Sequence, residues 1–135
     1  MRPSAVKDMK NLILLGIVML AAALPALAKR DETLTLQLGK QKTSSIGKLK
    51  VRFVAIDSDS RCPINARCVW AGNARVKITV SKGRRTARTF ELNSTHDPKT
   101  ATYEGYDIQF VDLTPHPGEN IVGRGTLTLS ITKHS

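Results

Sequence analysis

From Glu32 onward the apolar residues of this chain recur at every second position rather than every three or four, which is the signature of half-buried β-strands. Leu34, Leu36 and Leu38 alternate with Thr33, Thr35 and Gln37. Val51 and Phe53 alternate with Lys50 and Arg52 in a run from Lys48 to Asp57, and Val76, Ile78 and Val80 alternate with Arg75, Lys77 and Thr79. Lys82-Gly83 supplies a turn into a run that ends on Phe90 and Leu92, which is a β-hairpin signal. Ile108 and Phe110 share one parity while Val111 and Leu113 take the other, a switch that predicts either a bulge or a segment buried on both faces. Leu127, Leu129 and Ile131 alternate with threonine and serine in a last strand.

After residue 31 no helical stripe is long enough to matter. The connections carry turn residues: Gly39, Gly47, the stretch 93–98, and residues 114–125 with two prolines and three glycines. Six or seven short antiparallel strands at this spacing predict an all-β fold, an antiparallel β-sandwich of immunoglobulin-like type, with a small closed β-barrel as the alternative. Only Phe53, Trp70, Phe90, Tyr103, Tyr106 and Phe110 are aromatic, so the core has to be built mostly from Leu, Val and Ile.

The first 28 residues follow a different pattern: a cationic start with Arg2, Lys7 and Lys10, an apolar run from Leu12 to Leu24, then Pro25 and the small-residue site Ala26-Leu27-Ala28. This is the layout of a secretory signal peptide, and cleavage leaves Lys29 as the new N-terminus. Residues 29–135 then form one β-sandwich domain of about 107 residues, which suits a single core. An uncleaved anchor is the alternative, since Leu12 to Ala28 spans 17 residues, whereas a bilayer span needs about 20. Pro25 favours cleavage, whereas Lys29-Arg30 just after the site resists translocation. After cleavage no integral span remains, and the expected location is periplasmic or secreted. Without Arg2, Lys7, Lys10 and Asp8, 18 basic and 10 acidic residues remain, a net charge of +8.

Export bears on the two cysteines, because the compartment beyond the membrane is oxidising. Cys62 and Cys68 enclose five residues, and a disulfide between them removes unfolded-chain entropy worth roughly 2 kcal/mol. Zinc wants four ligands at shorter cysteine spacings, and no histidine lies nearby. The two-residue spacing of redox pairs is also absent. Asp57-Ser58-Asp59-Ser60-Arg61 starts like a calcium loop but puts Arg61 at position five and lacks the following glycine. Those acids and hydroxyls are therefore expected to accept hydrogen bonds in a turn, with Arg61 paired to an aspartate. Trp70, two residues beyond Cys68, is expected to lie on the same side of a strand as that sulfur and pack over the disulfide, the alternative being an exposed ligand-binding aromatic.

Asp59-Ser60-Arg61-Cys62-Pro63, four further residues, and Cys68-Val69-Trp70-Ala71-Gly72 together resemble the signature of small, mostly uncharacterised exported bacterial proteins. The run Gly105-Tyr106-Asp107-Ile108-Gln109-Phe110-Val111-Asp112-Leu113-Thr114-Pro115-His116-Pro117 resembles their second block, a strand followed by a Pro-x-Pro turn. The two blocks cover about a quarter of residues 29–135. The resemblance implies export and an all-β fold, and brings no activity with it. A bacterial route also sets aside Asn93-Ser94-Thr95 as a glycosylation acceptor.

Chemistry is sparse. His96, His116 and His134 lie in two loops and at the C-terminus, where solvated side chains are expected. All three methionines precede residue 20, leaving no soft copper ligands, and phosphate-binding glycine loops and serine elbows are absent. A non-enzymatic protein without a cofactor is the reading. The cations offer more: Lys48, Lys50 and Arg52 share one strand face, Arg75 and Lys77 another, and adjacent strands would merge them into a patch for an anionic envelope polymer or a lipid headgroup. Such lysines also keep sheets soluble. Nucleic acid is disfavoured, because no aromatics interleave with the cations. The candidate binding residues are thus Lys48, Lys50, Arg52, Arg61, Arg67, Trp70, Arg75 and Lys77. A protease inhibitor presenting the Cys62–Cys68 loop with Arg67 as its anchor is a second reading, with a protein partner. A structural or envelope-stress protein without a ligand is a third.

Overall fold

The period-two runs become strands in a computed structural model that describes residues 30–119 and 125–134; the expected signal segment, 1–28, lies outside the described residues. The elements are β1 (Asp31–Gln37), β2 (Gln41–Thr43), β3 (Lys50–Asp59), β4 (Ala74–Ser81), β5 (Arg88–Asn93), β6 (Thr100–Tyr103), β7 (Tyr106–Thr114) and β8 (Thr126–Lys133). Eight strands among the described residues exceed the six or seven expected. The two extra ones, β2 and β6, have only three and four residues; β2 is exposed throughout, and β6 alternates over just two inward residues, Ala101 and Tyr103, too few to stand out in the sequence.

The strands form two four-stranded antiparallel sheets, in the orders β1-β8-β7-β6 and β2-β3-β4-β5. This is a β-sandwich, not a closed barrel. Every hydrogen-bonded neighbour is consecutive in the chain except β1 with β8, so the path is a meander, without the Greek-key crossing of an immunoglobulin domain. It amounts to an up-and-down barrel opened along two seams, where the chain passes from one sheet to the other between β1 and β2 and between β5 and β6. The short connections at these seams leave no room for a crossover.

Between the sheets the inward parity closes into one core. Leu34, Leu36, Ile108, Leu113, Leu127, Leu129 and Ile131 face Val51, Phe53, Val76, Ile78, Val80 and Leu92, and all are buried. Ala101 and Tyr103 complete the core at β6, with the Tyr103 hydroxyl donating to the Thr86 carbonyl at 2.9 Å. The parity switch in β7 is a bulge between Phe110 and Asp112. β3 carries two bulges of its own, between Phe53 and Ala55 and between Ile56 and Ser58. They let a ten-residue strand keep Phe53 and Ile56 inward while adding local twist.

The antiparallel registers put the loops at two poles. At one lie the turn 44–49, the β4–β5 hairpin and the β6–β7 turn. Gly47 packs there against the Tyr106 ring in a left-handed conformation, φ +70°, and a Cβ would strike Tyr106 Cζ. Lys82 Nζ lies 5.0 Å from the same ring's centroid. Lys48 belongs to this turn, at φ +53°, and not to β3. Two successive left-handed residues reverse the chain before the strand begins, so Lys48 does not share the strand face with Lys50 and Arg52. Its charge lies by Glu32 instead. Partial burial pushes the Glu32 carboxyl up, but N–H donation from Ile46 and Ser45 together with Lys48 outweighs it and holds the group below its ordinary pKa.

Phe53 is fully buried at the centre of the second sheet. Phe53→Ala is expected to cost about 3–5 kcal/mol, the usual loss for emptying a phenylalanine site in a packed core. Urea unfolding followed by far-UV circular dichroism measures it, and a loss below 1.5 kcal/mol would mean that the sheets collapse readily onto the vacated space.

Candidate functional site

At the second pole gather the disulfide loop after β3, residues 94–99 after β5 and the turn after β7. β3 ends at Asp59, so Asp57 and Asp59 are strand residues rather than the turn expected for them. The chain then leaves the sheet at Ser60 and returns at Asn73. Ser60 N–H donates to the Asn73 carbonyl at 2.8 Å, and Asn73 N–H donates to Ser60 Oγ at 3.0 Å, which makes a neck. Gly72 closes it: at φ +67° its Cα is so near Ser60 that a Cβ would collide with the Ser60 carbonyl oxygen. Cys62 and Cys68 are bridged inside the neck, with Cα atoms 5.9 Å apart.

A polar cluster supports the neck from the side. Asn73 Nδ2 donates to Asn93 Oδ1 at 2.9 Å, while Asn73 Oδ1 accepts from Thr95 N–H at 3.0 Å. Thr95 Oγ1 donates to the Gly72 carbonyl at 2.7 Å, and Asn93 Nδ2 donates to the Pro98 carbonyl at 3.2 Å. Asn73 and Asn93 are both buried, so each amide needs these partners. The Asn93-Ser94-Thr95 triplet is therefore part of the framework, and its asparagine is not accessible to glycosylation.

Arg61 is the centre of the pole. Its side chain is only 10 % exposed, and its five N–H groups meet five acceptors. Nε donates to Asp59 Oδ1 at 2.8 Å and Nη2 to Asp59 Oδ2 at 2.8 Å, the parallel pair of a bidentate bridge. Nη1 donates to the Leu113 carbonyl at 2.6 Å and to His116 Nδ1 at 3.1 Å, and the second Nη2 hydrogen reaches the Pro115 carbonyl at 3.2 Å. With Nδ1 accepting, His116 presents Nε2 to Asp112 Oδ1 at 3.2 Å. His116 N–H donates to Glu119 Oε2 at 2.9 Å. The loop itself docks on the same turn through Ile64 N–H to the Pro117 carbonyl at 3.0 Å. His116 is thus a framework residue, not the solvated loop histidine expected. His134 is also engaged, with Nδ1 2.8 Å from Asp107 Oδ2.

Trp70 departs furthest from expectation. It sits in a bend before β4, not on a strand, and is 65 % exposed, with Val69 at 95 % and Ile64 at 63 %. Strand parity does not apply to it, because Gly72 and the neck delay the strand until Ala74. At that exposure it is not part of the core. Arg67, between Cys68 and the turn in which Ala66 N–H bonds the Pro63 carbonyl at 3.1 Å, is exposed too.

The remaining candidates lie on the second sheet. Lys50, Arg52, Arg75 and Lys77 all take the outward parity of the neighbouring strands β3 and β4. Arg52 pairs across with Thr79 and Gln41, Lys50 with Ser81 and Thr43, Arg75 with Ser58, and Lys77 with Ala55. Among the described residues Lys77 alone of the four has an ion pair, to Asp57 at 3.8 Å, and its neighbour on β5 is Glu91. An open cleft of about 390 Å³ at the β1–β2 seam sets Lys40 and Lys42 beside Thr35, Gln37 and Thr126, at the edge of the first sheet. No three His, Cys, Asp or Glu side chains among the described residues are placed to hold a metal ion. Comparison with protein-family models, curated proteins and solved structures finds no match.

Two outcomes follow from Arg61 and Asp59. Arg61→Ala is expected to cost about 1.5–3 kcal/mol, the usual worth of hydrogen bonds to a charged group, whereas Trp70→Ala should change stability by no more than about 0.5 kcal/mol. Arg61→Lys should recover little, since an ammonium has no fork to span Asp59 and two carbonyls. Urea denaturation of the three variants ranks them, and a Trp70→Ala loss as large as that of Arg61→Ala would place the indole in the core after all. The Arg61 fork also holds the Asp59 carboxyl below its ordinary pKa, against the push of partial burial. A depressed carboxyl contributes stability that is complete above its unfolded pKa and lost as pH falls through its folded value. The stability gap between the parent and Asp59→Asn should therefore be open at neutral pH and close with acidification. A gap constant in pH would show that Arg61 needs only a polar partner there, not a charge.

Proposed function

We propose that the protein is an exported, non-catalytic binding module whose cationic sheet face holds an anionic polymer or headgroup surface of the cell envelope. The segregation of charge between the two outer faces carries this reading. On the outward positions of β3 and β4 stand Lys50, Arg52, Arg75 and Lys77. The outward rows of the other sheet hold Asp31, Thr132, Asp107 and Thr102; Thr33, Ser130, Gln109 and Thr100; Thr35, Thr128 and Asp112; and Gln37, Thr126 and Thr114. No lysine or arginine occupies any of these rows. A net charge of +8 on residues 29–135 spread for solubility alone would have no reason to leave these rows without a cation, and Lys40 and Lys42 reach them only at the β1 edge, in the seam cleft with Thr35, Gln37 and Thr126. Segregated, it orients the molecule in the field of an anionic surface and raises the rate of encounter.

The inhibitor reading is served less well. Arg67 is exposed on a closed loop, as an anchor must be, but the backbone around it is turned, and the Ile64 and Ala66 N–H groups are already bonded. A strand-like complement to a protease cleft needs an extended segment with free backbone groups.

Retention on an immobilised anionic polymer such as heparin tests the sheet face. Lys50→Glu with Arg52→Glu should lower the eluting salt concentration clearly more than Lys99→Glu with Lys133→Glu, which changes the net charge equally from outside the second sheet. Equal losses would leave total charge as the only determinant.

A further inference from the structure

The eleven residues from Cys62 to Gly72 expose their apolar side chains and carry a single charge, Arg67. Exposing Ile64, Val69 and Trp70 to water is costly at roughly 25 cal/mol per Å² of apolar surface, and nothing among the described residues covers them. The exposure is not slackness: the disulfide, the Ser60–Asn73 neck, the Arg61 fork and the Ile64–Pro117 bond each fix part of the loop. The nearby acids are engaged, Asp59 with Arg61, Asp112 with His116 Nε2 and Glu119 with the His116 N–H. The loop continues from β3 and β4, the two strands whose outer face bears the cations.

We propose that this loop is an insertion tip for an anionic phospholipid bilayer, with Trp70 at headgroup depth, Val69 and Ile64 at the acyl boundary and Arg67 on a lipid phosphate. Each side chain suits that place. Indole joins a large apolar body to one N–H donor and favours the membrane–water boundary. Arg binds phosphate with its planar fork while its methylenes lie in an apolar layer. Three apolar side chains fall short of the 20–30 residues per side that a stable protein interface typically buries, whereas a bilayer asks for no matching shape. The assignment deepens the preceding reading, on which it rests for the electrostatic attraction, by naming the anionic surface.

Trp70 is the only tryptophan in the chain, so its emission reports on the tip alone. The purified protein without its signal segment is mixed with vesicles of phosphatidylcholine, or of phosphatidylcholine with phosphatidylglycerol, at low salt. Expected with the anionic vesicles are co-sedimentation, a blue shift of Trp70 emission and protection from acrylamide quenching. Ile64→Ser with Val69→Ser keeps the reporter and should weaken partitioning by at least about tenfold, the equivalent of two exposed aliphatic side chains returned to water. Arg67→Ala should weaken it severalfold on anionic vesicles only. All these sites are exposed, and an unchanged urea midpoint confirms that each variant is folded. Co-sedimentation without any change in Trp70 emission overturns the insertion tip and leaves the sheet-face reading standing, as does retention on heparin with no vesicle binding. The double serine variant binding as well as the parent also overturns it. Loss of both heparin retention and vesicle binding removes both readings.

Discussion

The guanidinium of Arg61 joins the two sheets at one pole, and the geometry of that pole depends on it. It lies two residues beyond the end of β3 in the second sheet, and its acceptors beyond Asp59 lie at the end of β7 in the first: the Leu113 and Pro115 carbonyls and His116. A meander of this kind has no crossing connection to tie its layers together, and elsewhere the sheets are held mainly by non-directional apolar contact. Five donors with five acceptors give this end a fixed geometry that burial alone would not. The arrangement is also intolerant of change, because losing the guanidinium leaves two backbone carbonyls, a carboxylate and the His116 Nδ1 without their donor.

Once the pole is fixed, the loop above it can be rigid and yet apolar on its surface. Ordinarily a tryptophan beside a disulfide folds down onto it, since burial of an indole is among the largest single gains open to a small domain. Here the residues at the base of the loop are committed to one another: Ser60 with Asn73, Asn73 with Asn93 and Thr95, Thr95 with Gly72. The neck consumes the residues that would otherwise have lengthened β4, and the segment carrying Val69 and Trp70 stands outside it. Exposure at the tip and order at the base thus have a common cause.

Much of the fold was legible in the period of two. Leu34, Leu36, Val51, Phe53, Val76, Ile78, Val80, Leu127, Leu129 and Ile131 are buried because alternate side chains of a strand point to one face, and the change of parity at Phe110–Val111 located a bulge. The short strands β2 and β6 left no such trace. Their hydrogen bonds come from neighbours rather than from any apolar pattern of their own. At the pole that carries the disulfide loop, the Asp59–Arg61 pair and the disulfide could be read from short spacing along the chain. The contacts of His116 with Arg61 and of Asn93 with Asn73 could not, since these partners lie 55 and 20 residues apart. Lys48 shows the limit of periodicity from the other side: it keeps the spacing of Lys50 and Arg52 but sits in a turn, because two left-handed residues interrupt the strand it was expected to extend.

Local chemistry alone therefore determines that the chain is all-β, which face of each long strand enters its core, where its cysteines meet and that two strands carry outward cations. These are consequences of spacing over two to six residues. What the tertiary structure decided is which of those features face one another. Only the pairing of β3 with β4 placed the cations on one face, and only the bonds joining Ser60 to Asn73 and Arg61 to the end of β7 fixed where the loop that carries Trp70 leaves the sheets. Such juxtapositions depend on sheet order and on hydrogen bonds across dozens of residues, and the spacing of residues along the chain carries no record of them.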